Sequence, residues 1–265
     1  MVTEHDLVTM SQILLAAETN VEAIPRLTER YAFDIEQAYR VQAFLIDEKI
    51  KKGMRLAGYK MGLTSPQKMK QMQVSSPVFG VLTAETLLED GASLKKKKLI
   101  HPRVELEVAF VLGDSITPED DLTPEALAKK IAYTTVALEI IDSRYQDFRF
   151  TLPDVIADNT SAAYYVLGSH FARLDDMKAS LLHFGAQLWI NGTLQAVGTP
   201  ANVLGHPLTA LASLVRQLHQ YRGETLKPGQ IVLTGGITEA FAVEAGDVIE
   251  GVIDHLGSVR IKVSE

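Results

Sequence analysis

The start of the chain has the periodicity of helices. Residues 7–20 and 34–53 both read as helical segments. Apolar side chains recur every three or four positions in the second segment, which places them on one helix face. Gly53 follows and indicates where that helix ends. The stripe consists of Ile35, Ala38, Val41, Phe44, Leu45 and Ile50.

From residue 55 onward, short apolar runs alternate with glycine, proline and polar residues. The segment RLAGYKMGLTSP predicts a strand that runs into a loop at Pro66. Residues 98–113 and 132–145 predict two longer strands, separated by a short helix whose predicted N-cap is Thr123 or a nearby acidic residue. The run Lys95–Lys98 predicts a solvated turn, with a binding patch as the alternative.

The last third of the chain predicts one helix among several strands. Asn191 and Gly192 stand between two apolar runs, which predicts a hairpin turn. His206 and Pro207 indicate the start of a helix, and Gly223 indicates its end. Its apolar stripe consists of Leu208, Leu211, Leu214, Val215 and Leu218. Residues 229–263 return to strand patterns, with glycines at turns or bulges.

These elements predict an α+β protein in which helices come first and strands follow. We expect a helical N-terminal portion at residues 1–75 and a β-rich domain at residues 76–265. The strands have intervening helices, so a curved mixed sheet or roll is the expected architecture.

The predicted strand in HPRVELEVAF carries two charges within an apolar run. Alternation places Val104, Leu106 and Val108 on one face, and Glu105 and Glu107 on the other. Two carboxylates about 7 Å apart repel each other in a buried site unless a cation lies between them. The alternative is a strand with one solvated face, where both carboxylates contact water.

A third acid favours the buried site. Glu139 lies within VALEIID, another strongly apolar strand, and a buried carboxylate is costly unless it is paired or binds metal. Three acids with no histidine or cysteine nearby resemble an all-oxygen site for Mg²⁺ or Mn²⁺. Asp142 falls on the other side of its strand, where pairing with Arg144 is one alternative.

Composition excludes several classes of function. The 265 residues include no cysteine, which excludes disulfides, thiolate nucleophiles and thiolate metal sites. The formal charge of −7 opposes binding to nucleic acid or to an anionic membrane. No apolar run is long enough to cross a bilayer, and the N-terminal residues lack signal-peptide features. We therefore expect a soluble, cytoplasmic protein.

Several motifs together resemble the fumarylacetoacetate hydrolase superfamily, and within it the branch of 2-hydroxypentadienoate hydratases and 4-oxalocrotonate decarboxylases. The motifs are GYKMGLTSP, HPRVELEVAFVL, ALEIIDSRY, ADNTSA, LGHPL and LTGGITEA. They extend over nearly the whole chain, so the resemblance implies that the β-rich domain is a catalytic domain of the fumarylacetoacetate hydrolase C-terminal type.

The resemblance implies roles for particular residues. Glu105, Glu107 and Glu139 are expected to bind Mg²⁺ or Mn²⁺, and Lys60 to line the substrate pocket, whereas without the resemblance Lys60 would read as a surface lysine. The expected catalytic residues are Lys60, Ser161 and Arg144. The expected substrate-binding residues are Lys60, Leu63, Ser161, Thr234 and Gly235. For Arg144, pairing with Asp142 remains the alternative to binding the distal carboxylate of the substrate.

Two segments favour the decarboxylase branch. IIDSRYQDFRF with ADNTSA, and TGGIT at 234–238, resemble the decarboxylase pattern. The implied reaction converts 2-oxo-3-hexenedioate into 2-hydroxypenta-2,4-dienoate and CO₂ in the meta-cleavage degradation of aromatic compounds. Hydration of 2-hydroxypenta-2,4-dienoate on the same fold is the first alternative, and a non-catalytic binding protein is a remote one. The resemblance also implies a small 2-oxo dicarboxylate as substrate, a homo-oligomer, and association with the pathway hydratase.

Overall fold

The N-terminal region is helical, as predicted. The computed structural model describes residues 2–65, 69–70, 74, 76–177 and 180–265. Helix α1 is Glu4–Asn20 and helix α2 is Ile35–Lys51. Each begins with a capping box, at Thr3 and Asp34, in which side chain and backbone satisfy each other's hydrogen bonds.

The described residues after α2 form thirteen strands, with three further α-helices between them. In chain order the strands are β1 Leu56–Gly62, β2 Val78–Thr83, β3 Leu87–Leu88, β4 Ser93–Lys95, β5 Arg103–Leu112, β6 Ile131–Ile141, β7 Ala162–Leu167, β8 Ala186–Ile190, β9 Thr193–Gly198, β10 Ile231–Leu233, β11 Phe241–Ala242, β12 Val248–Ile253 and β13 Gly257–Ser264. The helices are α3 Pro124–Ala128, α4 Leu152–Ala157 and α5 Pro207–Arg222. No helix in the described ranges combines the length and apolar character needed to cross a membrane.

The strands form two mixed sheets. In the larger sheet the order is β2, β1, β10, β5, β6, β7, β3, and β11 pairs with β5. In the smaller sheet the order is β4, β13, β12, β8, β9. The pairs β1 with β10, β3 with β7 and β4 with β13 are parallel, and the other pairs are antiparallel. The predicted α+β class is confirmed.

Local signals placed several elements correctly. Strands β8 and β9 form the predicted hairpin, and Asn191 and Gly192 have φ of 53° and 73°, as a tight hairpin turn requires. Helix α5 has His206 as its N-cap and Gly223 as its left-handed C-cap. Thr123 is the N-cap of α3. The lysine run ends in a single 3₁₀ turn at Lys96–Lys98 that precedes β5, as predicted.

Strand β5 lies in the middle of the large sheet and is buried on both faces. Val104, Leu106 and Val108 belong to the main hydrophobic core. The opposite face carries the two glutamates and continues into a smaller apolar cluster that includes Ala109. The alternative of a strand with one solvated face is therefore wrong. Antiparallel strands flank β5 on both sides, and the glutamates lie in the interior of the protein.

The predicted domain boundary follows residue 75, which lies outside the described residues, as does the loop residue Pro66. The boundary remains a prediction. Strand β1 precedes it, yet Gly58, Tyr59 and Lys60 pair with residues 231–233 in the large sheet. The strand that carries Lys60 is therefore an integral part of the β-rich body.

Candidate active site

Three glutamates from adjacent strands form a buried carboxylate cluster. Glu105 of β5 and Glu139 of β6 are direct cross-strand partners, and Glu107 occupies the next position on the same face. One carboxylate oxygen from each residue lies within 4.8 Å of the other two. The side chain of Glu105 is nearly buried, and those of Glu107 and Glu139 are fully buried. The predicted grouping of the three glutamates is confirmed.

Without a cation, burial and mutual repulsion disfavour ionisation of all three carboxylates. Burial raises the pKa of Glu107 well above its usual range, and the charges of Glu139 and Glu105 raise it further. Burial also raises the pKa of Glu139, whereas the charge of Lys60 lowers it in part. A cation held between the carboxylates would keep them ionised at neutral pH.

Lys60 supplies one positive charge to the cluster. It pairs with Leu233 of β10, which pairs with Ala109 of β5, so Lys60 lies on the same sheet face as the glutamates. Its Nζ is 2.9 Å from Oε1 of Glu139 and donates a hydrogen bond of 3.1 Å to the Thr160 carbonyl. The Lys60 side chain is 2% exposed, so the surface-lysine alternative is wrong.

The donor set fits a divalent cation. Oε1 of Glu107 and Oε2 of Glu139 have no hydrogen-bond partner in the part of the chain that the structure describes. Buried carboxylate oxygens are seldom left unpaired, because the lost hydration is not replaced. A set made only of carboxylate oxygens suits Mg²⁺ or Mn²⁺ better than softer metals.

The segment Thr234–Gly236 supports the carboxylates. The backbone N–H of Gly235 donates a hydrogen bond of 2.6 Å to Oε2 of Glu107. A Cβ atom at Gly236 would lie 2.9 Å from Oε1 of Glu105, so only glycine allows this close approach. The Thr234 hydroxyl donates to the Val108 carbonyl at 3.0 Å. These donors bond to protein atoms, and the substrate-binding roles of Thr234 and Gly235 remain predictions.

Ser161 and Leu63 have environments compatible with substrate contact. The Ser161 side chain is 3% exposed, and its Oγ has no hydrogen-bond partner among the described residues. An unpaired buried hydroxyl is an available donor or acceptor for a ligand. Leu63 is half-buried and has a left-handed φ of 56° just after β1. Their roles in binding substrate remain predictions.

Arg144 has a different partner from the one predicted. Its guanidinium forms a buried ion pair with Asp158 through Nε, and Nη1 donates to the Ala162 carbonyl at 3.2 Å. Asp142 instead accepts backbone hydrogen bonds from Ile100 and His101 at 2.9 and 2.8 Å. The predicted Asp142 pairing is wrong, and the role of Arg144 in binding a substrate carboxylate gains no support because its donors are engaged within the protein.

Comparison with protein families decides the classification of this site. The profile described as fumarylacetoacetate (FAA) hydrolase C-terminal matches residues 55–264, which include all three glutamates and Lys60. The chain belongs to this family. The match begins just before β1 and ends at the last strand, so the FAA hydrolase fold comprises both sheets of the molecule.

Curated relatives within the FAA hydrolase family have two different names. A 4-oxalocrotonate decarboxylase from Pseudomonas sp is 38% identical over 256 residues, covering 96% of this chain and 97% of that protein. A 2-keto-4-pentenoate hydratase from Burkholderia vietnamiensis (strain G4 / LMG 22486) is 37% identical over 232 residues, covering 88% and 87%. The relatives thus include two kinds of lyase, decarboxylases and hydratases.

A solved structure agrees with the whole fold. It is a 4-oxalocrotonate decarboxylase from Pseudomonas putida G7, complexed with magnesium and adipate. Its TM-score to this chain is 0.94 at 34% sequence identity, and the match covers 99% of each chain. The FAA hydrolase C-terminal architecture predicted from the sequence motifs is therefore confirmed.

Sequence reasoning assigned no role to Asn159 and Thr160 in the ADNTSA motif. Both residues and Ser161 have left-handed backbone conformations, with φ of 50°, 52° and 57°. A β-branched residue such as Thr160 rarely adopts this conformation, so its local sequence gives no signal for it. Thr160 nevertheless supplies the carbonyl that accepts a hydrogen bond from Lys60 in this FAA hydrolase site.

Proposed function

We propose that this protein catalyses metal-dependent decarboxylation of 2-oxo-3-hexenedioate (4-oxalocrotonate) to 2-hydroxypenta-2,4-dienoate and CO₂ in meta-cleavage degradation of aromatic compounds. The observation that carries this proposal is the buried cluster of Glu105, Glu107 and Glu139, with the ammonium group of Lys60 against it. The curated decarboxylase relatives and the similar decarboxylase structure support the choice of reaction.

The three glutamates are the proposed holders of Mg²⁺ or Mn²⁺. When bound, such a cation acts as a Lewis acid that stabilises negative charge on a substrate oxygen. The Gly235 N–H fixes one oxygen of Glu107, which leaves the other oxygen of that carboxylate for coordination. The magnesium in the similar decarboxylase structure supports this assignment.

The proposed reaction requires a partner for a developing oxyanion. The bond from C5 to the distal carboxylate carbon breaks, and its electron pair moves through the conjugated chain to the ketone oxygen at C2. CO₂ leaves, and the oxygen takes a proton. Lys60 Nζ is the proposed donor, because a buried ammonium can both stabilise an oxyanion and transfer a proton to it. Ser161 Oγ and Leu63 are proposed to contact the substrate.

Hydration is the second candidate, because a curated hydratase relative is nearly as similar as a decarboxylase relative. The substrate in that relative's name, 2-keto-4-pentenoate, is a tautomer of the proposed decarboxylation product. We favour decarboxylation because the similar decarboxylase structure contains adipate, a six-carbon dicarboxylate like 2-oxo-3-hexenedioate. The remote alternative of a non-catalytic binding protein is disfavoured by the intact glutamate cluster and the buried Lys60.

One pair of assays separates these candidates. The purified protein with Mg²⁺ is given 2-oxo-3-hexenedioate, and CO₂ release is measured; it is separately given 2-hydroxypenta-2,4-dienoate, and loss of the diene absorbance is measured. We expect CO₂ release from the first substrate and no hydration of the second. Hydration without CO₂ release would establish the hydratase alternative, and no reaction with either would favour a binding protein.

The variant Lys60→Met tests the role of the lysine in turnover. Methionine has a similar length but no charge, so turnover should fall by about 100- to 10,000-fold, as for loss of a general acid. Binding of Mg²⁺ should persist, because the glutamates are unchanged. Lys262→Met, at an exposed position of β13, is the matched control. Unaltered turnover in Lys60→Met would return Lys60 to a structural role.

We further propose that the protein is a cytoplasmic homo-oligomer that associates with the hydratase of the same pathway. The support is the family membership together with the two lyase names among the relatives. Light scattering of the purified protein, alone and mixed with such a hydratase, tests both forms of association. A monomeric mass in each sample would refute them.

A further inference from the structure

Asn159, Thr160 and Ser161 form a left-handed segment next to the glutamate cluster. Their φ angles are 50°, 52° and 57°. Residues other than glycine adopt this conformation singly and at a cost, so three in succession require support from their surroundings. All three side chains are buried. The segment therefore keeps its shape because neighbouring elements hold it there.

Strand β2 provides this support through side-chain hydrogen bonds. Asn159 Oδ1 accepts from the Val81 N–H at 2.7 Å, and Asn159 Nδ2 donates to the Val81 carbonyl at 2.9 Å. The Thr160 hydroxyl donates to the Phe79 carbonyl at 2.7 Å. The carboxamide of Asn159 thus bonds to β2 as the backbone of another strand would.

Two glycines allow the segment to approach the sheet closely. A Cβ atom at Gly80 would lie 2.5 Å from the Asn159 carbonyl oxygen, and one at Gly62 would lie 2.5 Å from Cγ2 of Thr160. Gly80 is the direct cross-strand partner of Lys60. The left-handed segment is therefore held directly over the position from which the Lys60 side chain extends.

We propose that Asn159 and Thr160 are positioning residues for Lys60, a role that rests on the proposed function of that lysine. The side-chain bonds to β2 hold the Thr160 carbonyl where it accepts a hydrogen bond from Lys60 Nζ, and Glu139 forms an ion pair with the same ammonium group. A lysine has a flexible stem of four carbons, and a fixed acceptor together with a fixed counter-charge restricts its ammonium group to one place. The Thr160 carbonyl accepts one N–H of the ammonium group and Glu139 supplies the counter-charge, and we assign a further N–H to the substrate oxygen.

The matched variants Thr160→Val and Thr160→Ser test this role. Valine keeps the β-branched shape but removes the hydrogen bond to Phe79, whereas serine keeps the hydroxyl. We expect Thr160→Val to lower kcat by about 10- to 100-fold, the scale of a small misplacement of a reacting group. KM and the affinity for Mg²⁺ should stay within about twofold, because the glutamates do not move. Thr160→Ser should retain most of the wild-type kcat.

A double-mutant cycle distinguishes positioning from general destabilisation. In the Lys60→Met background, Thr160→Val should lower the residual rate by less than about twofold, because the residue that it positions is gone. Equal fold losses in both backgrounds would overturn the proposal. Asn159→Gly is a second variant, since glycine adopts the left-handed backbone freely but lacks the carboxamide that bonds to Val81. It should reproduce the Thr160→Val result.

A measurement without turnover keeps this proposal separate from the proposed function. In protein with ¹⁵N-labelled lysine and bound Mg²⁺, a fixed Lys60 ammonium should give a sharp Nζ–H signal, identified by its loss in Lys60→Met. The signal should broaden in Thr160→Val and Asn159→Gly and persist in Thr160→Ser. Persistence in all variants would overturn the positioning role, even if the wild-type protein decarboxylates its substrate. Absence of turnover with the expected spectra would instead refute the proposed function alone.

Discussion

Nζ of Lys60 lies 2.9 Å from Oε1 of Glu139, and these side chains are 2% and 0% exposed. The pair belongs to a group of four charges that includes Glu105 and Glu107. Burial and the neighbouring carboxylates raise the pKa of Glu107 and Glu139 even with the Lys60 charge close by. Ionised carboxylates in such an interior are unfavourable without a counterion. A divalent cation bound to the glutamates would favour their ionised forms, which would place the lysine and the proposed metal ligands in one site.

Replacement of Glu107 by glutamine should weaken metal binding. Glutamine is close in shape and can still accept the Gly235 hydrogen bond, but it lacks the charge that binds a hard cation. We expect the Kd for Mg²⁺, measured by calorimetry, to rise by about 100-fold, the upper end of the losses seen when groups supporting metal ligands are removed.

The control for Glu107→Gln is Glu22→Gln, at an exposed position beyond α1. It should leave both Kd and turnover unchanged. If Glu107→Gln also left them unchanged, the cluster would not be the metal site.

Replacement of Gly236 by alanine should displace Glu105, a proposed metal ligand. The new Cβ atom would lie 2.9 Å from Oε1 of Glu105, so the carboxylate would have to move. We expect the Kd for Mg²⁺ to rise by about 10- to 100-fold. The matched control is Gly185→Ala, whose Cβ would lie 2.8 Å from Oδ2 of Asp254, a similar contact with another carboxylate. Equal Kd values for both variants and the wild type would show that Gly236 does not position Glu105.

The stabilisation by Mg²⁺ should increase with pH. Burial raises the pKa of Glu107 and of Glu139 above 4.5, so the metal-free folded state retains protons that the unfolded state releases. Without metal, the stability that these two carboxyl groups contribute is therefore greatest below pH 4.5, the ordinary pKa. It declines as the pH rises through the raised pKa values of the folded state. Mg²⁺ must displace the protons, so its affinity rises over the same range.

Thermal unfolding with Mg²⁺ or with EDTA measures this dependence. The difference in Tm between the two conditions should be small near about pH 5 and larger near about pH 8, because stabilisation follows affinity. Glu107→Gln should flatten the dependence. An equal Tm difference at both pH values would contradict the predicted competition between protons and metal.

Loss of the Arg144 charge should destabilise the fold. Arg144→Met would leave Asp158 buried without its ion-pair partner, which typically costs about 3–5 kcal/mol. Urea denaturation should show this as a lower free energy of unfolding. The matched control is Arg26→Met, which breaks an exposed ion pair with Glu29 and should change stability little. Unchanged stability in Arg144→Met together with a raised KM would instead support the substrate role first predicted for Arg144.

The sequence predicted the site where local patterns were sufficient. Alternation in β5 placed Glu105 and Glu107 on one face, and the apolar surroundings of Glu139 identified the third acid. The register that pairs Glu105 with Glu139 follows from tertiary packing, which alternation cannot specify. The location of Lys60 depends on the parallel pairing of β1 with β10, two strands that are far apart in the chain.

The errors came from loops with unusual backbone conformations. Asp142 is two positions from Arg144, so the sequence offered a local ion pair as the alternative to substrate binding. The actual partner is Asp158, which directly follows helix α4 as its C-cap. Left-handed residues that are not glycine have no reliable sequence signal, because neighbouring elements rather than local preference hold them there.

The position of β10 between β1 and β5 has a consequence for how the chain folds. Lys60 and the glutamates come from the first 139 residues, yet β1 contacts β5 through residues 231–233 of β10. During synthesis, the lysine therefore has no fixed place beside the glutamates until most of the chain has left the ribosome. Contacts between such distant segments form late and slowly. Active-site assembly should accordingly coincide with the last step of folding, and fragments that end before β10 should neither bind metal tightly nor turn over substrate.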